Sequence, residues 1–537
     1  MGDLLERRGF RVRAIRTASI VACAALLASC AVIERSSVPS GGGEPSGASA
    51  EPSLNLDGRW LAFTSSAGNL AGTDGNHTND VFVRDQQTHA IQLVSRTAGG
   101  AAGNAASDRP SISDDGKRIA FRSSATDLVA GGDAVPAIYV RDLTAGTTTR
   151  VSVSSTGTPG NGASDTPRIS GNGRYVAFAS DANNLVTGDG NGRTDVFVRD
   201  LQTGTTELVS QRANDGPQGG TSTSPAINRD GRYVAFKSTS TNLVPSDGNG
   251  GADVFLRDRT NGAITRVSVA TSGAEAKSGS GSPAISADGK VIAFDSPADN
   301  LVGADLNGST DVFVRDLTGL TTSLVSADNR NDEGAGSSRT PSLSADGRYV
   351  AFQTTAKLLD ADGNGLSDTY TRDRAEARTK RVSTTFQLDD PNGASTGTPS
   401  LSGDGRTVAF QSSATNLAEP DGDHVDDVFT RAAITPTITR VNPSLAQTAP
   451  ASIARGTDVY FVLRGTYYVP DTKVYVFGAG LSADTITVLS EHRLTVHVTA
   501  AADAALGTAS IVVAVPGTGA GQNFGGAAVC TCLQVTG

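Results

Sequence analysis

The chain has 537 residues, a formal charge of −10 and four cysteines. This length is ample for two domains with sizeable cores. The acidic balance, with no long basic run beyond the first residues, argues against a nucleic-acid partner.

The N-terminus reads as a targeting segment. Arg7, Arg8, Arg11, Arg13 and Arg16 precede an apolar stretch, Thr17–Ser29, too short to cross a membrane as a helix. Leu27-Ala28-Ser29-Cys30 resembles a bacterial lipobox, which implies lipidation of Cys30 and removal of residues 1–29 as a lipoprotein signal peptide. An ordinary signal peptide with an incidental cysteine is the alternative. Arg7-Arg8-Gly9-Phe10 also resembles a twin-arginine signal, so the export route stays open. The expected location is the bacterial cell envelope, with a lipid as the sole membrane anchor. Ala31, in place of aspartate, points to the outer membrane where the cell has one. Residues 30–50, rich in Ser, Gly, Pro and Ala, predict a flexible tether.

From residue 51 the sequence repeats. Pro52, Pro110, Pro167, Pro225, Pro283, Pro341 and Pro399 open seven copies of one unit, and Pro167 to Pro225 gives the period of 58. In the third copy a short run ends at the hairpin signal Asn172-Gly173. Tyr175–Ala179 then alternates, with Val176 and Phe178 on one face and Ala177 on the other. A loop rich in Asp, Asn and Gly follows. Asp195–Asp200 and Thr205–Val209 are further strands, joined at Thr203-Gly204. Each unit is therefore a four-stranded antiparallel meander with both faces apolar. Such a unit hides its faces only by stacking on its neighbours. The expected fold is all-β: a seven-bladed β-propeller over residues 51–435.

The motif P-x-[IL]-S-x-[DN]-G-[RK]-x-[VI]-A-F, followed by D-V-F-V-R-D, resembles the WD-repeat-like propeller repeats of TolB-type proteins. The resemblance implies a fold and leaves the activity open, because such propellers host binding and catalysis alike. Arg84, Arg141, Arg199, Arg257, Arg315, Arg372 and Arg431 recur in the third strand, and a role in tying blade to blade is expected of them.

Residues 436–537 change pattern. Five alternating, β-branched runs between Asp458 and Val515 resemble an IPT/TIG immunoglobulin-like domain, a small β-sandwich. Ile438–Asn442 fits either the fourth strand of the seventh blade or the first strand of this sandwich. If the sandwich takes it, the last blade needs a strand from the N-terminal tether. Cys530 and Cys532 form a Cys-Thr-Cys run whose bonding is left open.

The long loops gather on one face of the propeller, which makes it the expected working face. There the loop D-x-N-G-x-x-D recurs as Asp74, Asn76, Asp80; Asp189, Asn191, Asp195; Asp247, Asn249, Asp253; Asp305, Asn307, Asp311; and Asp362, Asn364, Asp368. The seventh copy carries Asp421, Asp423 and Asp427, and in the second Ala137 replaces the last aspartate. Carboxylates and an amide oxygen at these spacings suit Ca²⁺. The competing reading is local turn capping by Asp and Asn. His77 and His424 share one loop position in the first and last blades, where a transition-metal site and two plain loop residues are both open readings.

No H-E-x-x-H or phosphate loop is present. The expectation is a monomeric envelope lipoprotein whose propeller binds a protein or a glycan without enzymatic turnover. The alternatives are a polysaccharide-degrading lyase or hydrolase, which a non-repeat cluster of Arg, His and carboxylates at the central channel would favour, and a calcium-dependent adhesion protein.

Overall fold

A computed structural model of the chain describes residues 33–536, apart from 73, 213–218, 304, 386–388, 419–420, 433–436, 444–450, 467–472, 491–492 and 517–523. Cys30 and the targeting segment lie outside the described residues, as does His492. The described residues fall into two units, Ile33–Ala433 and a C-terminal unit from Ile434.

The first unit is a ring of seven four-stranded antiparallel sheets. In the third blade the strands are Ser164–Ile169, Tyr175–Ser180, Asp195–Asp200 and Thr205–Leu208. Phe178 stands opposite Phe197 in the register. Their rings stack at 5.9 Å between centroids, and each of the other six blades repeats this aromatic pair. The small alanine face of one blade meets the aromatic face of the next: Ala120, Ile138 and Val140 of blade 2 pack with Val176, Phe178 and Phe197 of blade 3. Alternation along the strand thus serves two interfaces at once.

The first strands of successive blades touch around the axis. In blades 1, 2, 6 and 7 a serine hydroxyl there takes a backbone N–H of the next blade, as Ser111 does from Ile169 at 3.1 Å. The same bond runs from Leu54 N–H to Ser400 of blade 7 at 2.9 Å, so the ring is closed.

Blade 7 closes in a way that departs from the expected tether. Thr437–Pro443 pairs with Asp458–Thr466 in the C-terminal unit, which leaves Asp427–Ala432 with an open edge. Glu34–Arg35 fills that edge, with Arg35 opposite Phe429. Ser36 and Ser37 are buried beside it. The propeller therefore begins near Ile33. The polar composition that suggested a tether instead satisfies a buried polar seam, for an unpaired strand edge must find partners.

The repeated arginines join blades, as expected. Arg199 donates to the Ser154 carbonyl at 2.9 Å, Arg257 to that of Gln211 at 2.7 Å and Arg315 to that of Ala270 at 3.3 Å, each in the preceding connection. In blades 1 to 4 and 6 the aspartate after this arginine clasps an arginine of the first hairpin instead, as Asp200 does Arg174 at 2.6 Å.

The second unit is a sandwich of two four-stranded sheets. Phe461, Leu463, Leu494 and Val496 of one sheet pack with Ile453, Ile511, Leu533 and Val535 of the other. Cys530 and Cys532 both fall on the last strand, Phe524–Thr536.

Candidate functional sites

Two features of the propeller concentrate polar chemistry. One is the Asp/Asn loop, and the structure shows how the repeat builds it. The last aspartate opens the third strand, and a serine from the end of the fourth strand donates to it: Ser95 to Asp80 at 2.5 Å, Ser210 to Asp195, Ser268 to Asp253 and Ser326 to Asp311 at 2.6 Å. The asparagine braces the loop. Asn307 donates to Asp311 at 2.9 Å and to the Gly334 carbonyl at 2.8 Å, while its oxygen accepts the Ser309 N–H. Asn76, Asn191, Asn249 and Asn364 each spend their amide oxygen on the N–H two residues on. An amide oxygen that accepts one N–H keeps a second lone pair that a cation can use. His77 and His424 carry φ near +54° and +57°, where blades 3 to 6 place glycine. Their position is set by the turn. No histidine joins a carboxylate cluster able to hold a metal among the described residues.

Burial raises the last aspartates: Asp80 to about 7, and Asp195, Asp253, Asp368 and Asp427 to about 6. Desolvation of the charged form outweighs the serine hydrogen bonds. In several blades an arginine meets this charge. Arg266 reaches Glu275 at 2.9 Å, Asp247 at 3.4 Å and Asp253 at 3.6 Å. Arg381 reaches Asp390 at 2.6 Å, Asp362 at 3.2 Å and Asp368 at 3.4 Å. Arg35 reaches Glu44 at 2.5 Å, Asp427 at 3.0 Å, Asp421 at 3.1 Å and Asp423 at 4.0 Å. Arg150 meets Asp133 of blade 2 at 3.1 Å.

The second feature is the axial mouth. In every blade the first strand carries a bulge, so that Asp165 faces Ala179 but Arg168 faces Ala177. The residue before the proline turns left-handed there: Glu51, Arg109, Thr166, Ser224, Ser282 and Thr340 have φ between 47° and 54°. Such backbone costs about 1–3 kcal/mol per residue and persists only where the surroundings hold it. A bulge also re-aims the side chains it carries.

In blades 1 to 3 the bulged segments carry charged side chains that meet between adjacent blades. The Arg109 N–H donates to Glu51 at 2.7 Å, and its guanidinium lies 2.9 Å from Asp165. Arg122 grips Asp108 through two bonds, at 2.5 and 2.7 Å, and approaches Asp165 at 3.5 Å. Arg168 donates to the Pro167 carbonyl at 3.0 Å, and no carboxylate lies within ion-pair distance of it among the described residues. Its side chain is exposed. Desolvation by neighbouring protein lowers its pKa from the ordinary arginine value, with Glu51 and Asp165 opposing and Arg109 reinforcing the shift. A cavity of about 320 Å³ opens beside the group, lined by Arg122, Asp165, Thr166, Asp181, Thr194 and Thr223.

Sequence reasoning did not reach this cluster. Its signal is the departure from the repeat at aligned positions. The residue after A-F runs Thr64, Arg122, Ala179, Lys237, Asp295, Gln353 and Gln411, while its neighbours barely change. Only the bulge brings that position and the residue before the proline to one rim.

No protein-family model matches the chain, and neither does any curated protein. Solved structures do resemble it. A TolB structure from Agrobacterium tumefaciens is 15% identical, with a TM-score of 0.36 over 64% of this chain and 94% of that one. An oligogalacturonate lyase in complex with manganese is 12% identical, with a TM-score of 0.45 over 75% and 96%. An oligogalacturonate lyase from Vibrio parahaemolyticus is 12% identical, with a TM-score of 0.42 over 75% and 90%. Likeness at this level concerns the fold alone. It corrects one expectation nevertheless. The absence of enzymatic turnover does not follow from this architecture, since two of these similar structures are lyases.

Proposed function

We propose that the propeller acts on an anionic polysaccharide at its axial mouth, by cleavage of the lyase or hydrolase kind. One observation carries this reading: Arg109, Arg122 and Arg168 converge with Glu51, Asp108 and Asp165 at the rim where the repeat breaks, beside a cavity. A planar guanidinium suits a sugar carboxylate, and Arg168 is the one not held by an ion pair in the structure. Carboxylates nearby supply the bases and acids that either kind of cleavage requires. Incubation with carboxylated and with neutral polysaccharides tests this, followed by reducing-end release and by ultraviolet absorbance of unsaturated products. Neither signal on any carboxylated polymer, together with no binding by calorimetry, would refute it.

Calcium-dependent adhesion is a second reading, favoured by buried carboxylate oxygens without partners in the acidic loops, Asp74 Oδ2 and Asp305 Oδ2 among them. An all-oxygen donor set suits a hard divalent cation. The same proposal places the chain in the cell envelope, anchored by lipid on Cys30, with the C-terminal sandwich as an IPT/TIG-type module. Metabolic labelling with a fatty-acid analogue, lost in Cys30→Ser, tests the anchor.

A further inference from the structure

One position in the propeller decides how each acidic loop is neutralised. It lies on the fourth strand, opposite the aromatic residue of the third. Arg150, Arg266 and Arg381 stand there opposite Tyr139, Phe255 and Tyr370. Arg35, on the strand donated by the N-terminus, stands opposite Phe429. Leu93, Leu208 and Leu324 hold the same position in blades 1, 3 and 5.

Blade 5 is where leucine leaves the largest deficit. Asp305, Asp311 and Glu333 converge there, each with a carboxylate oxygen within 4.8 Å of the others. The matching trios of blades 4 and 6 close on Arg266 and Arg381. No arginine or lysine pairs with the blade 5 trio among the described residues. The far side of the trio is already fixed. Ser326 and Asn307 donate to Asp311 at 2.6 and 2.9 Å, and the Leu306 N–H donates to Glu333 at 2.7 Å. Two oxygens on the near side, Asp305 Oδ2 and Glu333 Oε2, are buried and have no partner. The whole Asp305 side chain is buried, the residue being 5% exposed. Three carboxylates held this close repel one another unless a proton or a cation joins them.

We propose that blade 5 binds a calcium ion between Asp305, Asp311 and Glu333, in the place that a guanidinium takes in blades 4, 6 and 7. The spacing fits, because oxygens bound at about 2.3–2.6 Å from one Ca²⁺ lie within about 5 Å of each other. An open groove of about 630 Å³, which Asp305 and Leu306 help to line, gives water a route to the ion and to the rest of its shell. Blades 1 and 3 offer two carboxylates each, Asp74 with Asp80 and Asp189 with Asp195, and make weaker versions of the site. This inference rests on the acidic loops and is independent of what the axial mouth binds.

The test is calorimetric titration of the chelator-treated full chain with calcium chloride, with magnesium chloride alongside. It is compared with Leu324→Arg, which gives blade 5 the residue of blades 4 and 6. The wild type takes up calcium in preference to magnesium, and its melting temperature rises by several degrees. Leu324→Arg binds one equivalent fewer and melts higher than the wild type in chelator. Absence of both binding heat and a melting shift in the wild type overturns the proposal, as does an unchanged stoichiometry in Leu324→Arg. Should that variant not fold, Asp305→Asn decides: loss of one equivalent supports the site, and full uptake refutes it.

Discussion

Replacing Arg35 by leucine probes both the ring closure and the charge rule. Arg35 is buried, and its guanidinium serves Asp421, Asp423, Asp427 and Glu44. Removing one partner from a buried ion pair costs about 3–5 kcal/mol, because the other charge stays behind unpaired. Here four carboxylates lose one cation, so the upper half of that range is expected. Other bonds also hold the closing segment: Arg84 donates to Glu34 and to the Val38 carbonyl at 3.1 Å each, and the Ser36 hydroxyl bonds that of Thr430 at 2.9 Å. The Ser36 N–H donates to the Val428 carbonyl at 2.7 Å, and Ser37 donates to Asp427 at 2.5 Å. Urea unfolding in chelator, followed by the fluorescence of Trp60, gives the free energy from midpoint and slope. Arg35→Lys, which keeps the charge but not the fork, should fall between wild type and Arg35→Leu. Calcium should restore part of the loss in Arg35→Leu, since the variant turns blade 7 into a copy of blade 5. A loss below about 1 kcal/mol in Arg35→Leu would refute the assignment of this arginine as the cation that closes the ring.

Three further outcomes are expected. Gly231 sits at φ +77° in a hairpin turn, and a Cβ there would fall 2.2 Å from the Tyr175 ring of the preceding blade. Gly231→Ala should therefore cost about 2–4 kcal/mol by urea unfolding, from left-handed backbone and overpacking together, and a loss below about 0.5 kcal/mol would contradict it. Stability in chelator should rise as pH falls from 8 to about 5. Asp80, Asp195, Asp253, Asp368 and Asp427 are raised to about 6–7 in the fold, above about 3.9 unfolded, so the folded state takes up protons first. Below about 4 the trend should reverse, as Asp200 and Asp258, held low by Arg174 and Arg232, lose charge and partner. A urea midpoint that falls steadily from pH 8 to 5 would count against this. Arg168→Ala should weaken polysaccharide binding at least tenfold and leave the melting temperature within a degree, because this side chain is exposed and forms no ion pair. Equal binding by the variant would remove Arg168 from the site.

Much of this molecule is written in one dimension. The 58-residue period, the Asp-Gly turns and the alternation of Val-Phe with Ala specify seven sheets and the faces they bury, because strand periodicity and turn chemistry are local. The acidic loops are equally legible, being contiguous in sequence. What the tertiary structure decided is whatever depends on closing the circle. A stretch composed like a linker became the last strand, since blade 7 had an edge and Arg35 lay within reach of Asp427 across 392 positions of sequence. Leu324 reads as an ordinary apolar strand residue until the register sets it where Arg266 and Arg381 stand. Arg109 and Arg122 of blade 2 and Asp165 of blade 3 meet only because the bulged inner strands bring these positions to one rim. Periodicity determines the blade. The charge balance of each site is a property of the neighbours that folding supplies.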